Sequence, residues 1–506
     1  MELRLYGRDT VSSKVIRIMD KKYLKHIFLM ELCCIAHILH PVLYVLSRKG
    51  TSGTAELIHK YLPFSNIHNF LIRFIEVIPA WIYTPSGISI YYGLVIILFF
   101  LSYWNAFKVF KKNDFSLRLL ILSTLIFCFT IFFYLPGKHV DIFLYIFQGK
   151  IVYYYQANPY FVKPAVFEGD HLLRFVGWQN FTSAYGPVWH IFAAVLYRIG
   201  RDKILLEIIV FRVFIIFCHI INVYLIYKIL KIIKPEFKTT GTFLYAWNPL
   251  ALIYSSGGNN NDFLMITFLL VGIYLYLKKE IVLPAVCFAL SAFTKFSYIL
   301  FFPFYIKILK TKREIFLSIV VFIFTATLVW LPFYEGPASL LKPFWMTGAL
   351  GHSILFIWNS ILSSLWGQNV AMAGTKILQL SLSALFVLIY ISLFLKTRYL
   401  QDMMNSCAII FFILVSSIMP NWATWYVMWC IPFAILSGIP ATIFTCTTFS
   451  FSAPFALIIF YLYHSYATGY QCLTFSLAIP LPLLIAIKTK IWQWRTDETV
   501  SNNPCV

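Results

Sequence analysis

Charged side chains are scarce in this sequence: Asp, Glu, Lys and Arg make up 12% of 506 residues, and acidic residues number only 20. A soluble domain carries about a quarter of its residues charged. With 60% hydrophobic and 19% aromatic content, water is excluded as the main solvent of the chain. Low-complexity tracts, internal repeats and any separate polar domain are also missing. The 10 cysteines form no CxxC and no Cys/His pairing at ligand spacing, which leaves them as small buried hydrophobes rather than a metal or redox motif. No A-x-A-like cleavage signal follows the first apolar run, so that run is read as a retained span. The terminal Asn502-Asn503-Pro504-Cys505-Val506 is no prenylation box.

What the sequence has is apolar runs long enough to cross a bilayer as helices, such as Leu117 to Tyr134, Ile204 to Tyr227, Ile315 to Phe333 and Leu378 to Leu395. The formal charge of +21 would fit nucleic acid only if the basic residues gathered on one exposed face. They lie instead between the apolar runs, at Lys21 to Lys25, Lys108 to Arg118, Lys228 to Lys238, Lys278-Lys279, Lys307 to Arg313, Lys396-Arg398 and Lys488-Lys490. That is the pattern of cytoplasmic loops under the positive-inside rule, and no nucleic-acid partner is expected. The fold class read from this pattern is all-α, a polytopic transmembrane helical bundle in the cell membrane with both termini cytoplasmic. About fourteen spans are expected, near 26–46, 88–107, 117–135, 204–227, 239–256, 261–277, 281–294, 297–309, 315–333, 374–395, 404–419, 423–438, 441–463 and 470–488. Membrane lipids surround such a bundle.

One connection, 136–203, is long and falls outside by the charge rule. Within it, 139–156 is aromatic with Asp141, Tyr145 and Gln148 at i, i+4 and i+7, the spacing of a helix lying along the interface with one polar stripe. The segment 186–198 is too short to cross and is kept on the outer surface as a second interfacial helix.

Topology also sorts the carboxylates. The outer face retains Glu56, Glu76, Asp141, Glu168, Asp170, Asp202, Asp262 and Glu335, and a general base must be sought among them. Asp141 is the best placed, opening the interfacial helix beside Lys138 and His139 where it meets a lipid-borne substrate; a helix-start acid that only caps amides is the structural reading. Glu168 and Asp170 form an acidic-x-acidic pair with the chemistry of a divalent-cation site, but no cofactor is the favoured reading. Asn158-Pro159-Tyr160 and Tyr185-Gly186-Pro187 are turn chemistry. Gly257-Gly258-Asn259-Asn260-Asn261-Asp262 offers amides and a carboxylate suited to sugar hydroxyls, or equally a polar turn capping the next helix. Arg212 inside a span and Lys295 between two short ones are intramembrane cations, which face a cavity and a partner unless they snorkel; phosphate is the natural partner. Trp425-Tyr426 adds an aromatic pair for stacking on sugar or for the interfacial belt.

Taken in order, Asp141 with its Tyr-rich helix, Asn158-Pro159-Tyr160, Tyr185-Gly186-Pro187, Arg212, Trp247-Asn248-Pro249, the Gly257 to Asp262 stretch, Lys295 and Trp425-Tyr426 resemble the GT-C superfamily of membrane glycosyltransferases, most closely the bacterial polyprenol-phosphate-mannose-dependent mannosyltransferases. The resemblance covers a core of 117–440 with outer loop 136–203; 1–116 and 441–506 are additions. It implies an inverting transfer of a hexose, mannose first, from a polyprenyl-phosphate donor to a glycan or lipid acceptor on the outer face. It makes Asp141 the base, Arg212 and Lys295 the phosphate ligands, and Tyr145, Asn158, Tyr160, Tyr185, Asn260, Asn261, Asp262, Trp425 and Tyr426 the sugar or acceptor contacts. Related sequences often carry a His in the Gly-Gly stretch; this chain has Asn. The rival classes are a transporter or flippase of lipid-linked sugars, which calls for broken helices in matching halves, and a non-catalytic envelope partner, which would not need Asp141.

Overall fold

The computed structural model describes residues 21–47, 80–112, 115–134, 141–345 and 353–455. Among these most residues are helical and no strand occurs, as the long apolar runs predict. The N-terminal helices are α1 (Lys21–Ser47), α2 (Pro85–Phe110) and α3 (Leu117–Ile131), with α1 packed along both others. Thr84 and Ser116 cap α2 and α3 by accepting from the amides of Gly87 and Leu119, each cap contributing about 1 kcal/mol. The long connection between α3 and the next long helix holds α4 (Asp141–Tyr153) and α5 (Pro187–Gly200). Then come α6 (Ile204–Ile233), α7 (Lys238–Ala246), α8 (Asp262–Leu277), α9 (Val282–Ala292), α10 (Lys312–Trp330), α11 (Ala338–Trp345), α12 (Ile354–Trp366), α13 (Gln368–Lys396), α14 (Leu400–Ile413) and α15 (Pro440–Ser452).

Six of the described helices are long and apolar enough to cross a membrane alone. A seventh crossing is added if Pro249–Gly257 and Asp262–Leu277, bent by 116°, are one broken span. The expectation of about fourteen full spans is therefore not met one for one. Asn248-Pro249 divides the predicted span 239–256, separating α7 from the segment after it, while Lys295, extended between α9 and Phe296–Phe301, and Gly438, with φ 66° before α15, fall at the ends of short predicted spans. The predicted span 470–488 and the end of 441–463 lie outside the described residues, as do Lys138 and His139.

A second departure concerns α4. A single polar stripe is expected, yet every residue from Asp141 to Ile151 is buried. The cause is close packing against α5. A Cβ on Gly149 would stand 2.3 Å from the Ala193 carbonyl oxygen, so only glycine lets the two helices approach this far. The loop between them folds back over α4, with Phe143 stacked on Phe175 and Tyr155 on Phe167.

Several helix ends meet around Lys234. Lys234 donates to the Gly438 carbonyl, Thr240 to Phe110, and Gln401 to Ser437, so the ends of α2, α6 and α14's neighbours meet there. Along α8, Lys278 follows the last turn and Asp262 opens the first, about 24 Å apart at 1.5 Å per residue. Asp262 belongs to the site described next.

Candidate active site

The site forms where helices are interrupted. Asp141 stands in the first turn of α4, 8% exposed. Its Oδ2 accepts from the hydroxyls of Tyr145 and Tyr185, each at 3.3 Å. Tyr145 lies one helical turn on, as the i, i+4 spacing predicts. Its single hydroxyl proton has a second acceptor, Asn261 Oδ1, also at 3.3 Å.

Tyr185 is delivered by its neighbour. The Gly186 amide donates to the Thr294 carbonyl and the Val188 amide to Phe293, which docks this turn directly on the chain before Lys295. A Cβ at Gly186 would lie 1.9 Å from the Phe293 oxygen, so here again close backbone approach requires glycine. Lys295 is an extended residue in the break after α9. Its ammonium pairs with Asp262 Oδ1 at 2.6 Å and lies 4.7 Å from the ring centre of Tyr426, 5.1 Å from Trp429 and 5.8 Å from Tyr185.

Burial pushes the Asp141 carboxyl up to about 6. Lys295 and the two phenols pull it down, and the Asp262 carboxylate pushes it further up. A carboxyl at that value is ionised at neutral pH yet basic enough to take a proton, the balance a general base needs. Burial first, then the neighbouring phenol and carboxylates, raises Tyr145 and Tyr185, so both remain protonated donors.

The stretch between α7 and α8 supplies unmatched polar groups. Ile253–Gly257 is a π-turn, and Asn259 takes φ 59°. Asn259 Oδ1, Asn260 Oδ1, Asn261 Nδ2 and Asp262 Oδ2 are buried with no hydrogen-bond partner in the protein. Buried polar atoms are nearly always satisfied, so four together leave this stretch with bonding capacity for a polar ligand.

Residues 66–311 match the model of the MptA_B family, alpha-(1->6)-mannopyranosyltransferase, N-terminal domain. Over these residues the chain is similar to a mannosyltransferase domain of the GT-C type. No curated protein and no solved structure matches it. The matched part of the chain holds Asp141, Tyr145, Tyr185, Arg212, the Gly257 to Asp262 stretch and Lys295; Trp425, Tyr426 and Trp429 lie beyond it.

The two buried cations Arg212 and Lys295 occupy opposite ends of the polar stretch. Lys295 meets Asp262, whereas Arg212, buried in α6, donates to the carbonyls of Phe132 at the end of α3 and of Gly257 at 3.5 Å. Its Nε has no partner. Trp425 lies to the side, its ring 5.4 Å from Tyr254. Asn158 and Tyr160 are not brought to Asp141. Asn158 donates to the Phe333 carbonyl at 2.8 Å, and Tyr160, stacked on Trp330, donates to the Tyr185 carbonyl at 2.8 Å. Their contact with the site is indirect, as a brace for Tyr185.

Asp170 is likewise engaged elsewhere. Lys150, 3% exposed, pairs with Asp170 and Asp202 at 2.7 Å each, and Tyr155 donates to Asp170 at 2.7 Å. Burial alone would raise the Asp170 carboxyl, but the bonds from Lys150, Tyr155 and the Leu172 amide hold it below its ordinary value. Glu168 is exposed, and among the described residues no group of three or more His, Cys, Asp or Glu is placed to share a metal ion. The residue that sequence reasoning missed is Trp429, whose indole N–H donates to Asp262 Oδ1. Its signal was the spacing: it follows Tyr426 by three residues, one turn of the 3-10 helix Thr424–Trp429.

Proposed function

We propose that this protein is an inverting mannosyltransferase that takes its sugar from a polyprenyl-phosphate carrier and passes it to a hydroxyl of a glycan or lipid acceptor on the outer face of the membrane. The observation that carries the reading is Asp141: a buried carboxyl held by two phenol donors, pushed up to about 6, and within electrostatic reach of Lys295. In the reaction the acceptor O–H gives its proton to Asp141 while its oxygen attacks the anomeric carbon. The bond from that carbon to the phosphate oxygen breaks with its electron pair, and polyprenyl phosphate departs with one more negative charge than the donor carried.

A lipid phosphate is already a competent leaving group, so the protein needs a base and a positive field rather than a nucleotide-binding fold. Lys295 and Arg212, at the two ends of the Gly257 to Asp262 stretch, are the groups for the phosphate. The unmatched amides of Asn260 and Asn261, with Tyr145, Tyr185 and Tyr426, are the groups for sugar and acceptor; Trp425 flanks them. No metal enters these steps. Outer-face chemistry is supported by the separation along α8 of Asp262 from the lysines at its other end, since basic loops stay inside.

The test is donor consumption by purified full-length protein offered a panel of polyprenyl-phosphate sugars and followed by mass spectrometry. Consumption of the mannosyl donor by the wild type and none by Asp141→Asn is the expected result. Equal consumption by the two would overturn the mechanism.

A further inference from the structure

The carboxylate of Asp262 already has protein partners on one oxygen. Its Oδ1 accepts from Lys295 and from the Trp429 indole N–H, and the residue is fully buried. Lys295 is enclosed by the rings of Tyr185, Tyr426 and Trp429. Rings attract an ammonium without fixing where its N–H bonds point, so among these neighbours only Asp262 sets a direction. Trp429 is itself anchored, its carbonyl accepting from Tyr298 at 3.0 Å. One of the three rings belongs to Tyr185, whose hydroxyl touches Asp141.

We propose that Asp262 is a positioning residue that orients the Lys295 ammonium beside Asp141, with Trp429 steadying its carboxylate, and that it is not a sugar ligand. This rests on the proposed function, in which Lys295 faces the donor phosphate. A lysine stem has four rotatable bonds, and an ammonium fixed before the donor arrives loses little freedom when it binds. The same pairing moderates the site's attraction for an anion. Removing the charge of Asp262 therefore strengthens donor binding while loosening the group that must meet the departing phosphate.

Asp262→Asn and Trp429→Phe are the variants, in full-length protein, with thermal unfolding measured alongside. For Asp262→Asn the expected result is kcat down about ten- to hundredfold, the effect of one charged hydrogen bond, with donor KM unchanged or lower. The acid limb of its pH profile moves to lower pH, because Asp262 raises Asp141. Tyr145, Tyr185 and Lys295, which also face Asp141, are kept. Trp429→Phe, which keeps a ring and the charge of Asp262 but removes the indole N–H donor, lowers kcat in smaller degree with the acid limb unmoved, and carries the test if Asp262→Asn does not fold. Independently of turnover, acylation of Lys295 by a small amine-reactive reagent, read by peptide mass spectrometry against exposed Lys310 and Lys312, rises several-fold in both variants. A higher donor KM with kcat and pH limb unmoved makes Asp262 a sugar ligand and overturns the proposal; so does unchanged Lys295 reactivity. If the wild type consumes no mannosyl donor, the proposed function fails, and the acylation result still decides whether Asp262 positions Lys295.

Discussion

Replacing Asp141 by Asn separates function from stability. The carboxyl is raised from 3.8 to about 6 in the folded protein, chiefly by burial. At about 1.4 kcal/mol per unit, this shift of roughly two units penalises the ionised folded state by about 3 kcal/mol. The sign follows from which state binds the proton more tightly. Below 3.8 the group is protonated folded or unfolded and opposes nothing. As the pH rises from 3.8 towards 6 the unfolded chain ionises first, and the folded state loses stability until both are ionised. Above 6 the full penalty stands.

Asn never ionises and its amide oxygen still accepts from Tyr145 and Tyr185. Asp141→Asn is therefore expected to unfold at a higher temperature than wild type at pH 7.5, and at about the same temperature near pH 4. Its mannosyl transfer is expected to be lost at every pH, while wild-type transfer falls as the pH drops through about 6, where Asp141 takes up its proton. Thermal unfolding of both proteins in one detergent across pH 4 to 8 (the roughly two-unit window above, with margins) and donor consumption over the same range are the two assays. A gap in unfolding temperature that does not widen with pH, or a variant less stable at pH 7.5, would refute the assignment of a buried, penalised carboxylate. Loss of activity with gain of stability is the trade-off of a site strained for its task.

Tyr185→Phe removes one of the two donors to Asp141; because that bond lowers the carboxyl, the acid limb moves to higher pH, opposite to Asp262→Asn, and kcat falls about tenfold. Gly186→Ala drives a Cβ into the Phe293 carbonyl at 1.9 Å, and since backbone cannot yield as a side chain does, a loss of about 1–3 kcal/mol in stability and more than tenfold in transfer is expected from unfolding and turnover assays. Lys150→Met leaves Asp170 and Asp202 without their shared cation and destabilises by about 3 kcal/mol at neutral pH. Because Asp170 is held below its ordinary value, that contribution is present above 3.8 and disappears as the pH falls through the folded value; unfolding at pH 7 and in strong acid checks both limits.

Much of this arrangement is legible in the residues. The long apolar helices, the shared face of Asp141 and Tyr145, and the placing of Lys295 between two short helices all follow from composition and helical period. What escapes is decided by contacts between distant segments. Asn158-Pro159-Tyr160 reads like a site loop, but Tyr160 packs under Trp330 and Phe333, positions about 170 residues on in the numbering. Gly149 looks like any helix glycine until Ala193 is found against it, and that contact buries the whole of α4 where periodicity shows one polar stripe. Trp429 sits in an apolar run whose neighbours hide its N–H, and only the approach of Asp262 gives that N–H a role.

The breaks that spoil a simple count of spans are the places where the chemistry is assembled. Inside a helix every peptide group is satisfied by its own ladder, so a regular span offers a substrate only side chains. In a membrane protein irregular backbone persists only where protein or a polar cavity replaces the lost bonds. Here four such interruptions converge: the end of α3 at Phe132, the π-turn and amides from Ile253 to Asn261, the extended Lys295, and the turn after the second π-segment, Leu414–Ile418, that leads to Tyr426 and Trp429. Arg212 closes on two of them and Lys295 on the others. A proline-free, continuous α7–α8 helix would be a better span and would carry no site, because Asn259 to Asp262 would then point their amides and carboxylate around a helix instead of gathering them between two cations.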